Sequence, residues 1–218
     1  STRDWSSDVC SSDLSIEAAR VANGFGPQMH NVGHCTFVSE VDIERASRVG
    51  ATLEVSPYLW QPAPICSDIA AAVGPEIVKR VWPVREMLDA GALVVAGSDW
   101  SVVPSVNPWI GIETLVTREE PGGSSETFGP DEAITVTEAL QIFTENAARQ
   151  EGAADRIGRI EPGLIADIIV VNQNPLTVPV HQIHKTQVEM TIIEGEIVYR
   201  RDQVSRSEEH TSELQSRV

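Results

Sequence analysis

The 218-residue chain sets 32 acidic side chains against 16 basic ones, a formal net charge of −16. Such a surface repels phosphate backbones and anionic bilayers, so nucleic acid and membrane are disfavoured as partners, and no apolar run reaches the length of a membrane span. Its three cysteines are too few and too scattered for a disulfide framework or a thiolate metal cluster, which points to a reducing, cytoplasmic compartment.

Both ends read as foreign. Asp4–Leu14 and Arg206–Ser216 can be encoded by the two complementary strands of one adaptor-like oligonucleotide. Residues 1–14 and 206–218 are therefore expected to be adaptor-like artefacts, excluded from fold reasoning as a tag would be. The genuine protein is expected from about Ser15 to about Ser205, as a piece of something longer. Setting the ends aside leaves the chain clearly acidic and removes Cys10.

In chain order, Ile16 to Ala22 reads as the tail of a helix, Gly24–Pro27 as a turn, and Gln28 to Gly33 as a short strand delivering His34. Ser39 caps a helix that runs to Val49, with Asp42 at the capping-box position and Gly50 as the stop. Ala51–Ser56 is the next strand, broken by Pro57. A long loop containing Pro62, Pro64, Cys66 and Gly74 leads to a helix around Val84–Leu88, which stops at Gly91. The strand that follows ends at Asp99. Alternating strands and helices at this spacing imply parallel crossovers, hence an α/β barrel or a doubly wound sheet.

Beyond Arg118, a linker rich in Gly, Ser and Pro precedes a helix capped by Thr135 or Thr137 and running to about Arg149. The texture then changes. Ile157–Val171 holds two short apolar runs around Pro162-Gly163, and Val188–Tyr199 holds two more around Glu194-Gly195, a hairpin signal. Asp155 to Gln203 reads as part of a small β domain.

The most informative stretch is Gly91–Trp100, an aliphatic strand that ends on Gly97-Ser98-Asp99. In parallel barrels the strand C-termini carry the chemistry, so Asp99 is the first candidate for an active-site residue, binding a divalent metal or taking a proton from a metal-activated water. The alternative is that it caps a helix or closes an Asx-turn.

Four motifs in order now identify a resemblance: His30-Asn31-Val32-Gly33-His34, Trp82-Pro83-Val84 through Ala90-Gly91, Gly97-Ser98-Asp99-Trp100, and Ile157-Gly158-Arg159 through Ala166-Asp167. Together they resemble the amidohydrolase superfamily, most closely its family-three branch, which includes N-substituted formamide deformylase-like proteins. The resemblance implies the C-terminal part of a metal-dependent hydrolase (β/α)8 TIM barrel in residues 15–154, and part of a flanking β-sandwich in 155–205. It implies one or two divalent metals, usually zinc, with His34 matching the ligand histidine that ends the sixth strand. Asp99 would match the aspartate that ends the eighth, both metal ligand and catalytic proton carrier. Further ligands would lie on strands preceding Ser15, so the fragment by itself is expected to hold metal weakly and to show no turnover.

The same resemblance implies a small amide-like substrate whose carbon–nitrogen bond is hydrolysed; a homo-oligomer is left open. Trp100 and Arg118, placed on the loop leaving the eighth strand, are candidate substrate contacts. His30, four residues before His34, is a candidate outer partner orienting a metal ligand, although a packing role is the commoner fate of such a histidine. Asp167 is expected to stabilise a turn by hydrogen bonding rather than to react. His181 and His184 look like a ligand pair but fit a loop surface better, and Cys35 fits a small buried packing residue. A competing reading is a metal-free binding or regulatory module on the same scaffold. An aldolase or isomerase is disfavoured because neither a barrel lysine nor a phosphate-gripping loop is visible, and no dinucleotide loop, P-loop or serine elbow is present.

Overall fold

The computed structural model describes residues 7–60 and 64–202, with side chains described from Leu14 onward except at positions 64 and 65. Asp4–Ser6, Pro62 and the expected C-terminal foreign segment lie outside the described residues.

A helix, α1 (Ser7–Asn23), leads into two βα steps and a third strand: β1 (His30–Val32), α2 (Glu40–Arg48), β2 (Ala51–Val55), α3 (Pro64–Val73), α4 (Pro75–Val78), α5 (Val84–Asp89) and β3 (Leu93–Ala96). The three strands form one parallel sheet in the order β1-β2-β3, with Val32 beside Leu53 and Leu53 beside Val94. Their apolar side chains Val32, Leu53, Val55 and Val94 are buried in one core with Ile43 of α2 and Met87 of α5. On the other face β2 presents Thr52 and Glu54, an alternation that marks one side of the sheet as polar.

The caps follow the sequence. The Ser39 hydroxyl accepts from the Asp42 N–H and donates to the Asp42 carboxylate at 2.6 Å, which starts α2, and Gly50 ends it at φ +66°. The stretch expected to be a long loop before α5 is instead largely helical, because Pro64 and Pro75 each sit in a first turn, where the missing N–H is harmless. A further helix, α6 (Pro108–Thr117), was not anticipated. Asn107 caps it by accepting from the Trp109 N–H at 3.1 Å, with Pro108 at its first position.

The helix expected through Arg149 is two: α7 (Val136–Phe143) and α8 (Glu145–Gln150). Thr135 and Glu138 form a reciprocal capping box at the start. The break falls at Thr144, where the chain passes against Gly158; a Cβ there would meet Ala148 at 2.6 Å and the backbone of Glu145 at 3.2 Å. Asn146 of α8 donates to the Val94 carbonyl at 2.9 Å and ties this pair to β3.

The C-terminal part holds an antiparallel sheet in the order β4 (Ile168–Val171), β5 (Val188–Ile193), β6 (Glu196–Arg200). The β5–β6 turn has φ +52° at Glu194 and +83° at Gly195, the two positive values that a tight hairpin requires. Of the two apolar runs expected around Pro162-Gly163 only the second is a strand. The first folds back on itself through the Ile165 N–H to Arg156 carbonyl bond at 2.8 Å. Ile169, Val170, Ile193, Ile197 and Val198 of this small sheet are exposed. No helix among the described residues is long and apolar enough to cross a membrane.

Candidate functional site

The C-terminal ends of the three parallel strands deliver polar side chains to one edge. His34 follows β1 by two residues, Ser56 follows β2 directly, and Asp99 follows β3 by three. The backbone turns sharply at this rim: His34, Cys35 and Asp99 have φ of +64°, +44° and +54°, a left-handed region costly for any residue with a Cβ. The Val102 N–H donates to the Asp99 carbonyl at 2.8 Å and closes the turn that follows.

Behind the rim sits Glu54. A Cβ on Gly33 would stand 3.2 Å from Glu54 Oε2, and one on Gly97 would collide with Oε1, so the carboxylate occupies room that the two glycines leave. The Ser56 hydroxyl donates to Glu54 Oε1 at 3.4 Å and lies 3.3 Å from His34 Nδ1. Cys35 is buried with its thiol donating to the Val32 carbonyl, and burial, helped by the Glu54 charge, pushes that thiol up to about 12. It is a packing residue at neutral pH, as its sequence context suggested.

Beside His34 opens a cavity of about 400 Å3, walled by Ser56, Leu59, Trp60, Ile69 and Trp82. The Trp60 and Trp82 rings stack with centroids 4.9 Å apart. A larger cavity of about 760 Å3 lies between α6 and the antiparallel sheet, but no carboxylate, imidazole or thiol lines it. The smaller one is bordered by the strand-end imidazole of His34.

The other candidates divide. Trp100 is 69% exposed on the segment leaving β3, where a substrate could meet it. His30 opens β1, at the opposite edge of the sheet from His34, so it cannot orient that side chain; a strand of this length separates the two edges by roughly 10 Å.

Arg118 is also corrected. It is the C-cap of α6, not part of the loop leaving β3, and only 1% of it is exposed. Its guanidinium donates to the carbonyls of Val81 (2.8 Å), Phe128 (2.9 Å) and Trp82 (3.4 Å) and lies 4.7 Å from the Trp60 ring. Burial pulls its pKa down to about 10, still far above neutrality, so it is a caged cation holding three chain segments together.

Asp167 accepts from the Glu194 N–H at 2.8 Å and stabilises the β5–β6 hairpin. His184 is more than plain loop surface. Its backbone N–H (2.6 Å) and Nδ1 (2.8 Å) both meet Glu113 Oε2, while the Gly122 N–H takes the other oxygen at 2.6 Å. Glu113 is wholly buried on α6, so this contact latches the segment before β5 to the α/β part. His181 lies 3.7 Å from Glu119 instead.

Sequence reading missed Glu54 and Ser56. The signal was available: Thr52, Glu54 and Ser56 alternate with Ala51, Leu53 and Val55, whereas a parallel strand that only packs is apolar on both sides. It also missed Glu113, whose buried charge becomes visible only once His184 and Gly122 are brought to it.

A neutral imidazole and a carboxylate are the donor types that zinc-like cations take, and Ser56 at Nδ1 leaves Nε2 of His34 available to such an ion. His34 and Asp99, each just past the C-terminal end of its strand, are of the donor types such a shell takes. Among the described residues no group of three or more His, Cys, Asp or Glu side chains gathers to complete one.

Comparison with known proteins supplies the context. N-substituted formamide deformylase of Arthrobacter pascens is 34% identical over 56% of this chain and 22% of its own length. A metal-dependent hydrolase structure from Pyrococcus horikoshii superposes with a TM-score of 0.61 at 26% identity, covering 77% of this chain and 33% of that one. A zinc-bound adenosine deaminase from Xanthomonas campestris superposes at 0.58 with 17% identity, covering 98% of this chain and 49% of that one. The chain spans between about a fifth and two fifths of the curated relatives it matches. Residues 14–199 match the sequence model of the amidohydrolase family (Amidohydro_3), so the chain belongs to that family.

Proposed function

We propose that the protein containing this chain hydrolyses the carbon–nitrogen bond of a small amide-like molecule with a divalent metal, zinc the foremost candidate, held in part by His34 and Asp99. On this reading residues 15–154 are the last βα units of a (β/α)8 barrel and residues 155–205 part of a flanking β-sandwich, between adaptor-derived ends. The observation that carries it is the common edge: consecutive parallel strands lead at their C-terminal ends to His34, Ser56 and Asp99, and the first two line a cavity walled also by Trp60 and Trp82. Family membership and the metal-dependent relatives support it.

A metal bound there would supply Lewis-acid activation of water and carbonyl. This chain's own residues would do the rest. His34 presents Nε2 while Ser56 holds its other nitrogen. Asp99 accepts the proton released on attack and returns it to the leaving amine, the work of a general base and acid. Trp100 offers an exposed aromatic face to the substrate, and the stacked tryptophans exclude water from the cavity wall.

The test is made on the complete gene product with a panel of small amides. Asp99→Asn should retain fold and lose about 100- to 10,000-fold in turnover, the usual worth of a positioned acid–base group. His34→Asn should also lower the bound zinc measured by elemental analysis. Turnover insensitive to both a chelator and Asp99→Asn would remove the proposal.

A further inference from the structure

We infer that Glu54 and Ser56 are positioning residues that set the tautomer of His34. This rests on the reading of His34 as a metal donor for its consequence, although the tautomer itself is a property of the chain alone.

The argument is a count of protons. Ser56 has a single hydroxyl proton and two polar neighbours, His34 Nδ1 at 3.3 Å and Glu54 Oε1 at 3.4 Å. A carboxylate accepts and does not donate. If the hydroxyl gave its proton to Nδ1, the Ser56 oxygen and Glu54 Oε1 would face each other lone pair to lone pair. The arrangement that satisfies both contacts sends the hydroxyl proton to Glu54 and leaves the Ser56 oxygen accepting from Nδ1–H. His34 then carries its proton on Nδ1 and a lone pair on Nε2, the form in which an imidazole binds a cation through Nε2.

The structure holds Glu54 where this requires. Gly33, immediately before His34, and Gly97, two residues before Asp99, leave the space its two carboxylate oxygens fill. A Cβ on Gly97 would force Oε1, the oxygen that Ser56 meets, to move, and one on Gly33 would crowd Oε2. Both strands flanking β2 thus lack a side chain at the level where Glu54 reaches the rim, and the relay runs Glu54 to Ser56 to His34 along one edge.

The experiment is nitrogen NMR of the chain labelled with 15N-histidine, reading the ring tautomers from long-range proton–nitrogen couplings. The chain has five histidines, and the His34 signals are identified by their loss in His34→Asn. The expected result is a proton on Nδ1 of His34 in the metal-free chain. Ser56→Ala should turn this into an exchanging mixture in which Nε2–H predominates, and Ser56→Thr, which keeps the hydroxyl, should restore Nδ1–H. Glu54→Gln, whose amide can also donate, should give a mixture. A native spectrum with the proton on Nε2 overturns the inference even if every variant misfolds. So does an Nδ1–H tautomer that survives in folded Ser56→Ala. Neither result bears on whether His34 binds zinc, which the metal content of His34→Asn decides separately.

Discussion

Replacing Arg118 by Met separates a structural cation from one that touches substrate. The methionine keeps the bulk and the contact with Trp60 but leaves the Val81 and Phe128 carbonyls, now bonded at 2.8 and 2.9 Å, without their donor. Each such orphaned group costs about 1–3 kcal/mol, and the lost cation–ring contact about 1 kcal/mol more. Against this, burial that lowers the guanidinium pKa from 12.5 to about 10 means the charge is held at a cost of about 3 kcal/mol, which the neutral side chain relieves. The opposing terms leave a net loss of about 2 kcal/mol, or roughly 4–8 °C in Tm for a chain of this size. Urea unfolding followed by tryptophan fluorescence and by far-ultraviolet circular dichroism measures it. Arg118→Lys, which keeps charge but cannot span both carbonyls, should lose a comparable amount. A Met variant as stable as the native chain would refute the cage and return Arg118 to the candidate substrate contacts.

Three other perturbations test the packing and electrostatics. Glu113→Ala strips the bonds to the His184 and Gly122 N–H groups and should cost about 2–4 kcal/mol, with faster amide exchange at His184 and Gly122 as the local signature. Gly111→Ala places a Cβ 2.9 Å from the Phe143 ring and 3.1 Å from Tyr58, so overpacking should destabilise by about 1–3 kcal/mol, where an open site would have gained from the same change. For Glu138, partial burial raises the carboxyl, but the Thr135 backbone and hydroxyl and the Arg85 guanidinium outweigh it and hold it below its usual value. Its contribution is therefore full above the unfolded pKa and is lost as pH falls through the folded one, so Tm should decline less steeply below pH 5 in Glu138→Gln than in the native chain.

The sequence by itself determined whatever short-range chemistry controls. Ser39 announced a helix start and Thr135 or Thr137 another, which the structure places at Thr135, Glu194-Gly195 a hairpin, and the aliphatic Leu93–Ala96 a buried strand ending near a carboxylate, because caps, turns and periodicity act within a few residues. Four ordered motifs were enough for the family. They could not say where α6 lay or that Thr144 interrupts a helix, since those depend on Asn107 meeting Trp109 N–H and on Gly158 arriving from a later segment.

Only the tertiary structure decided the partners of charges. Arg118 became a buried strut because Val81, Trp82 and Phe128 turn their carbonyls toward it, and His184 became a latch because its N–H and Nδ1 meet the wholly buried Glu113 carboxylate. His34 and Asp99 were legible as single residues, while Glu54 and Ser56 between them were not. Strand order puts β2 in the middle, and a side chain's role there depends on the neighbours that the sheet supplies across it. Low dielectric makes such long-range pairings decisive for a buried polar group, and a linear chain carries no record of which groups will be enclosed together.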